Sequence, residues 1–172
     1  MDAASLRAEP EGQARLLLLI DAFSTAEETL QGRVKLAKLD FLLRYPSFYR
    51  RALIARGRSV SYPPEIDEDN IEHRMVRYRY GPWDPAYYAL LGALLGRGLI
   101  ETVPAGRYTG LRTTPLGADL ASELAAAPAW KDVAERARKL RSAFRSHTGT
   151  WLKDFIYEQF PEVTQARWGQ PL

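Results

Sequence analysis

The sequence predicts a mainly α-helical fold with one short β-hairpin and further helices towards its C-terminal end. Three observations lead there. Most apolar residues recur at three- and four-residue steps, which lines them along one side of a helix. Prolines open several of these segments and glycines close them, as suits helix starts and stops. Only the stretch 99–113 alternates like two paired strands, around 104-PAG-106.

Taken in order, residues 1–12 are small, polar and charged and predict a frayed tail. The apolar density of 13–23 predicts the first helix. Gly32 breaks the chain before 33-RVKLAKLDFLLRY-45, which is apolar on nearly every side and reads as a buried helix. Pro46 suits the first position of the next helix, 46–56, with Phe48, Tyr49, Ala52, Leu53 and Ile54 inward and Gly57 as its stop. Residues 57–72 form an acidic loop in which Pro63 and Pro64 impose extended geometry. Its carboxylates lack the glycine and glutamate placement of a calcium loop. The segment 74-RMVRYR-79 alternates like a basic strand or arm. Asp84 and Pro85 then open a helix ending at Gly96, with Leu91, Leu94 and Leu95 and either Tyr87 or Tyr88 facing the core. Beyond the strands 99–103 and 107–113, Thr114 and Pro115 start a helix with a Leu116, Leu120, Leu124 stripe. Trp130, Val133, Ala137, Leu140 and Phe144 form a narrow seam on the next. Trp151, Leu152, Phe155, Ile156 and Phe160 share one face of the last. The predicted organisation is a domain over 13–128, a C-terminal helical extension over 129–163 and a tail over 164–172.

A net charge of +3 and a pI near 9.2 lean only mildly towards anionic partners, so the distribution matters more than the sum. Five arginines and no acid lie between Arg44 and Arg58, and six bases face two acids between Lys131 and Arg145. The absence of cysteine excludes disulfides and thiolate metal sites. The apolar run 16-LLLLI-20 is too short to span a bilayer, and a cytoplasmic location is expected. No cofactor is expected, because there is no phosphate-binding loop, no dinucleotide fingerprint and no zinc-protease motif. His73 and His147 stand in no metal-ligand spacing, and no nucleophile is marked by a neighbouring base. The chain reads as a non-enzyme.

Across residues 84–117, a helix, "GLIE", a hairpin and "LRTTPLG" opening a further helix resemble the third helix, wing and following helix of winged helix-turn-helix proteins. A recognition helix needs side chains that reach base edges, chiefly Arg, Lys, Asn, Gln, Ser or Thr. Between Pro85 and Gly96 there is none. Opposite the leucines stand Ala86, Ala89, Gly92 and Ala93, with Arg97 at the end: a smooth face suited to docking a partner. Arg77, Arg79, Arg107 and Arg112 are placed to hold phosphates without reading sequence, or to pair with the acidic loop. Trp151 and Phe155 either close the domain's own core or anchor a partner.

The combination of "RVKLAKLDFLLRYP", "HRMVRYRYGPWDPAYYALLGALLGRGLIE", "GLRTTPLGADLA" and "GTWLKDFIYEQFPEV" resembles the small middle components of bacterial ABC-three-component systems, the group that includes the small subunit of Lamassu-type antiphage defence complexes. It covers roughly residues 13–163. The resemblance implies a non-catalytic accessory subunit whose partners are an SMC-like ABC ATPase and an effector, often a nuclease. It implies non-specific contact with double-stranded DNA, and neither a membrane nor a small-molecule substrate. The alternative is a winged-helix transcription regulator or antitoxin, which requires base-reading residues elsewhere than on this helix.

Overall fold

The computed structural model describes residues 9–60, 75–78, 81–170 and 172. The expected tail up to residue 8, the acidic segment from 61 to 72, His73 and Arg79 lie outside the described residues.

The architecture is mainly helical, with a small three-stranded antiparallel sheet. Helix α1 (Pro10–Ala22) starts on its proline and is covered on every side from Arg15 to Ile20. It therefore begins inside the expected tail, and Gly12 is already buried against Leu90. As the central helix it touches α2 (Arg33–Arg44), α4 (Tyr87–Gly96), α5 (Pro115–Ala126) and α6 (Lys131–Phe144). Every residue of α2 from Lys35 onward is buried, as its sequence predicts. Helix α3 (Pro46–Ala55) starts at the proline and buries Tyr49, Ala52 and Leu53. Ile54, expected inward, is 62% exposed, because the packing stripe passes through its two preceding neighbours.

The sheet holds β1 (Leu30–Gln31), β4 (Ile100–Ala105) and β5 (Tyr108–Thr113) in the order β1-β5-β4. The β4–β5 hairpin is the expected one, but its turn is Gly106–Arg107, with Ala105 opposite Tyr108. Gly106 takes a left-handed φ of 61° there. Two features were not expected. Strand β1 pairs with β5 before α2 begins, and a second hairpin joins β2 (Val76–Tyr78) to β3 (Gly81–Trp83). Gly and Pro argue against a strand, yet Gly81 is required at β3: its φ is 96° and a Cβ would lie 2.9 Å from Lys38 Cε.

Thr114 caps α5 by accepting from Gly117 N–H at 3.1 Å. The expected Leu116 stripe is displaced, and Gly117 and Ala121 are the buried residues while Leu116 is 59% exposed. The cause is a backbone approach: a Cβ on Gly117 would lie 1.8 Å from Leu99 O. Helices α6 and α7 (Gly149–Gln159) bury Leu140, Phe144, Leu152, Phe155 and Ile156 in the same core as α1 and α2. The helices of the predicted extension 129–163 thus contribute to that core. Helix α8 (Pro161–Gln165) buries Val163 and runs two residues into the predicted tail, and Leu172 N–H donates to Met75 O at 3.1 Å. No helix among the described residues is long and apolar enough to cross a membrane.

Candidate docking and nucleic-acid surface

Helix α4 is fixed by a buried polar network that the sequence did not announce. Asp40, fully buried in α2, accepts from Arg15 Nε at 2.7 Å and from the Tyr87 hydroxyl at 2.7 Å. Arg44 lies 3.7 Å from Asp40 and donates to Asp84 at 2.5 Å. Asp84 in turn accepts from Ala86 N–H at 2.8 Å, just ahead of α4. The helix therefore starts at Tyr87, two residues later than Asp84 and Pro85 suggest. Burial alone would raise the Asp40 carboxyl, but the Arg15 and Arg44 charges outweigh it and hold the group below its usual range. Burial, and then the Asp40 charge, push the Tyr87 hydroxyl well above its ordinary value, so it remains a donor.

With its first turn held, α4 buries Tyr87, Leu90, Leu91 and Leu94. Leu90 replaces Leu95 on the predicted stripe, and Leu95 is 40% exposed. The outer face is Tyr88, Gly92, Leu95 and Gly96, flanked by half-buried Ala86, Ala89 and Ala93 and ended by exposed Arg97. A helix apolar all round is normally buried all round. Here one whole side stays open. A Cβ on Gly92 or Gly96 would meet nothing within 4 Å.

The four arginines expected to hold phosphates are not equivalent. Arg107 stands exposed at the β4–β5 turn without a hydrogen bond or ion pair among the described residues. Arg112 is committed to Glu101 through Nε at 3.0 Å and Nη2 at 2.7 Å, a cross-strand pair. Arg77 lies in β2 opposite Pro82, and Arg79 falls outside the described residues.

Sequence inspection missed Arg33. Its guanidinium lies 5.2 Å from the centroid of the Tyr88 ring, which is 61% exposed. The only signal was an arginine opening α2 without an acid beside it. In the C-terminal helices, Phe155 is buried and Trp151 is stacked between His147, at 3.7 Å, and Phe155, at 5.1 Å. These two aromatic residues close the core, and a partner would reach Phe155 only by opening it.

A cleft of about 620 Å³ separates the hairpin turn from the α6–α7 corner. Lys35 lines it and donates to Arg145 O at 2.8 Å, with its ammonium pushed down to about 8 by burial. Among known proteins, no family model, no curated protein and no solved structure matches the chain.

Proposed function

We propose that the chain is a non-catalytic accessory subunit of an SMC-like ABC ATPase complex in bacterial antiphage defence, working beside an effector such as a nuclease. In this reading the fold is a winged-helix variant. Its support is the strand order β1-β5-β4, with β1 between the first two helices and the hairpin directly after α4. The α3 helix and the β2–β3 hairpin are then an insertion ahead of the third helix of the motif.

One observation carries the proposal. The ten residues of α4 contain no polar side chain apart from two tyrosine hydroxyls, yet one side of the helix is open. Such a surface cannot discriminate base edges, but it can accept a partner helix closely. This favours docking over the regulator alternative. Exposed Arg107 supplies a sequence-independent contact to DNA.

The test is co-purification with an SMC-like ABC ATPase co-expressed with the chain. Gly92→Arg places a long cation where nothing stands within 4 Å, so the variant folds normally. It is expected to lose the ATPase, as is Ala89→Arg, while Arg107→Ala retains it. Full recovery of the ATPase with Gly92→Arg removes α4 as the docking face and this proposal with it.

A further inference from the structure

The β4–β5 turn, the start of α2 and the first turn of α4 meet in one exposed ridge. Arg107 and Tyr108 stand at the turn, and Tyr108 is 50% exposed. Gly32 N–H donates to Thr109 O at 3.1 Å. The Tyr108 ring lies against Gly32, where a Cβ would be 3.6 Å from its Cδ1 atom. The next residue, Arg33, therefore begins beside the hairpin and reaches over Tyr88. Trp83 lies behind Tyr88 with ring centroids 6.0 Å apart.

Two large rings are left half in solvent: Tyr88 has the Arg33 guanidinium 5.2 Å from its centroid, and Tyr108 follows Arg107 in the chain. Neither Arg33 nor Arg107 pairs with a carboxylate among the described residues. Three acids of the adjoining segments are engaged elsewhere, Glu28 with Arg141, Glu101 with Arg112 and Asp84 with Arg44, while Glu27 lines the cleft beside the turn and pairs with neither arginine. Among the described residues, no ion pair neutralises either guanidinium of the ridge. Base-edge readout is closed to α4, but stacking requires no donor or acceptor, because every base presents a π-face. Alternating aromatic faces and phosphate-seeking cations fit an unpaired strand better than a duplex, whose bases are already stacked on one another.

We infer that this ridge binds single-stranded nucleic acid, DNA or RNA, with bases stacked on Tyr88 and Tyr108 and phosphates held by Arg33 and Arg107. The inference rests on the DNA-contact part of the proposed function and makes it specific. It does not depend on the ATPase, so co-purification and strand binding fail separately.

The experiment is fluorescence anisotropy of the full chain with oligo(dT), oligo(U) and a duplex, each of about 20 nucleotides per strand, compared at matched salt and repeated over a salt series. A single strand is expected to bind about tenfold more tightly than the duplex. Tighter oligo(dT) assigns DNA as the ligand, tighter oligo(U) assigns RNA, and equal affinity assigns both. Tyr88→Ala and Tyr108→Ala are each expected to weaken single-strand binding about fivefold or more. Tyr88→Phe keeps the stacking face and the affinity. Arg33→Gln flattens the slope of log affinity against log salt by about 0.7. Should Tyr88→Ala lower the thermal midpoint, Tyr108→Ala on the exposed hairpin decides alone. Duplex binding equal to or tighter than both single strands overturns the inference. So does the absence of single-strand binding, or an affinity unchanged by Tyr108→Ala.

Discussion

Lys38 is buried to 1% exposure in the middle of α2, and its ammonium donates to Pro82 O at 3.2 Å. No carboxylate pairs with it among the described residues. Burial, with a smaller push from the Lys153 charge, lowers its pKa from 10.5 to about 7. Between those values the unfolded chain holds a proton that the folded chain has released, so stability rises with pH. It is lost as pH falls towards the folded value. From pH 9 down to pH 6 the loss assigned to Lys38 is about 2–3 kcal/mol. In a chain of this size that corresponds to roughly 5–10 °C in Tm. Lys35, also lowered by burial but less enclosed, adds under about 1 kcal/mol in the same direction once solvent screening is allowed for.

Lys38→Met keeps the length of the side chain and removes the charge. It also leaves Pro82 O without its donor, at a cost of about 1–3 kcal/mol. At pH 6 the relief exceeds that cost, and at pH 9 the two nearly cancel. The expected result in urea unfolding is a variant more stable than wild type at pH 6, about equal at pH 9, and with most of the pH dependence gone. A variant that unfolds as wild type does at both pH values, or that is weaker at pH 6, refutes the placing of an uncompensated ammonium here.

Two further outcomes test other parts of the structure. Asp40→Asn strands the buried Arg15 and weakens the hold on Arg44 and Tyr87, and is expected to cost about 3–5 kcal/mol in urea unfolding; a loss under about 1 kcal/mol would show that the network is not buried as described. In salt titrations of nucleic-acid binding, Arg107→Ala should flatten the slope of log affinity by about 0.7–0.9, whereas Arg112→Ala, already paired with Glu101, should leave it nearly unchanged. Equal slopes for the two variants would count against that division.

What could be read from the sequence was local. Pro46 and Thr114 stand at helix starts because a missing N–H or a capping hydroxyl fixes a terminus without outside help. The contrary cases all depend on a distant partner. Strand β1 is two residues long and is a strand only because β5 lies beside it. Arg15 and Asp40 are 25 residues apart, and nothing in either segment marks them as a pair. Ile54, Leu95 and Leu116 have the composition of core residues. Periodicity alone cannot choose between adjoining faces when both are apolar; Leu99 O at Gly117 makes that choice for α5.

The surface divides the same way, and the β4–β5 turn shows why. With 104-PAG-106 as the loop, Val103 would face Arg107, and Glu101 would face Thr109. With Gly106–Arg107 as the turn, Ala105 faces Tyr108, and every pair along the ladder shifts accordingly. Glu101 then lies opposite Arg112. That single change of register converts Arg112 from a free cation into half of an ion pair and leaves Arg107 at the tip. It also sets Tyr108 beside Gly32, where the hairpin meets Arg33. The open side of α4 needed no such information, since a helix with no polar residue between Pro85 and Gly96 presents an apolar face however it is turned. Composition was enough to find the open apolar side of α4. The cationic ridge depends on register, and only the paired strands reveal it.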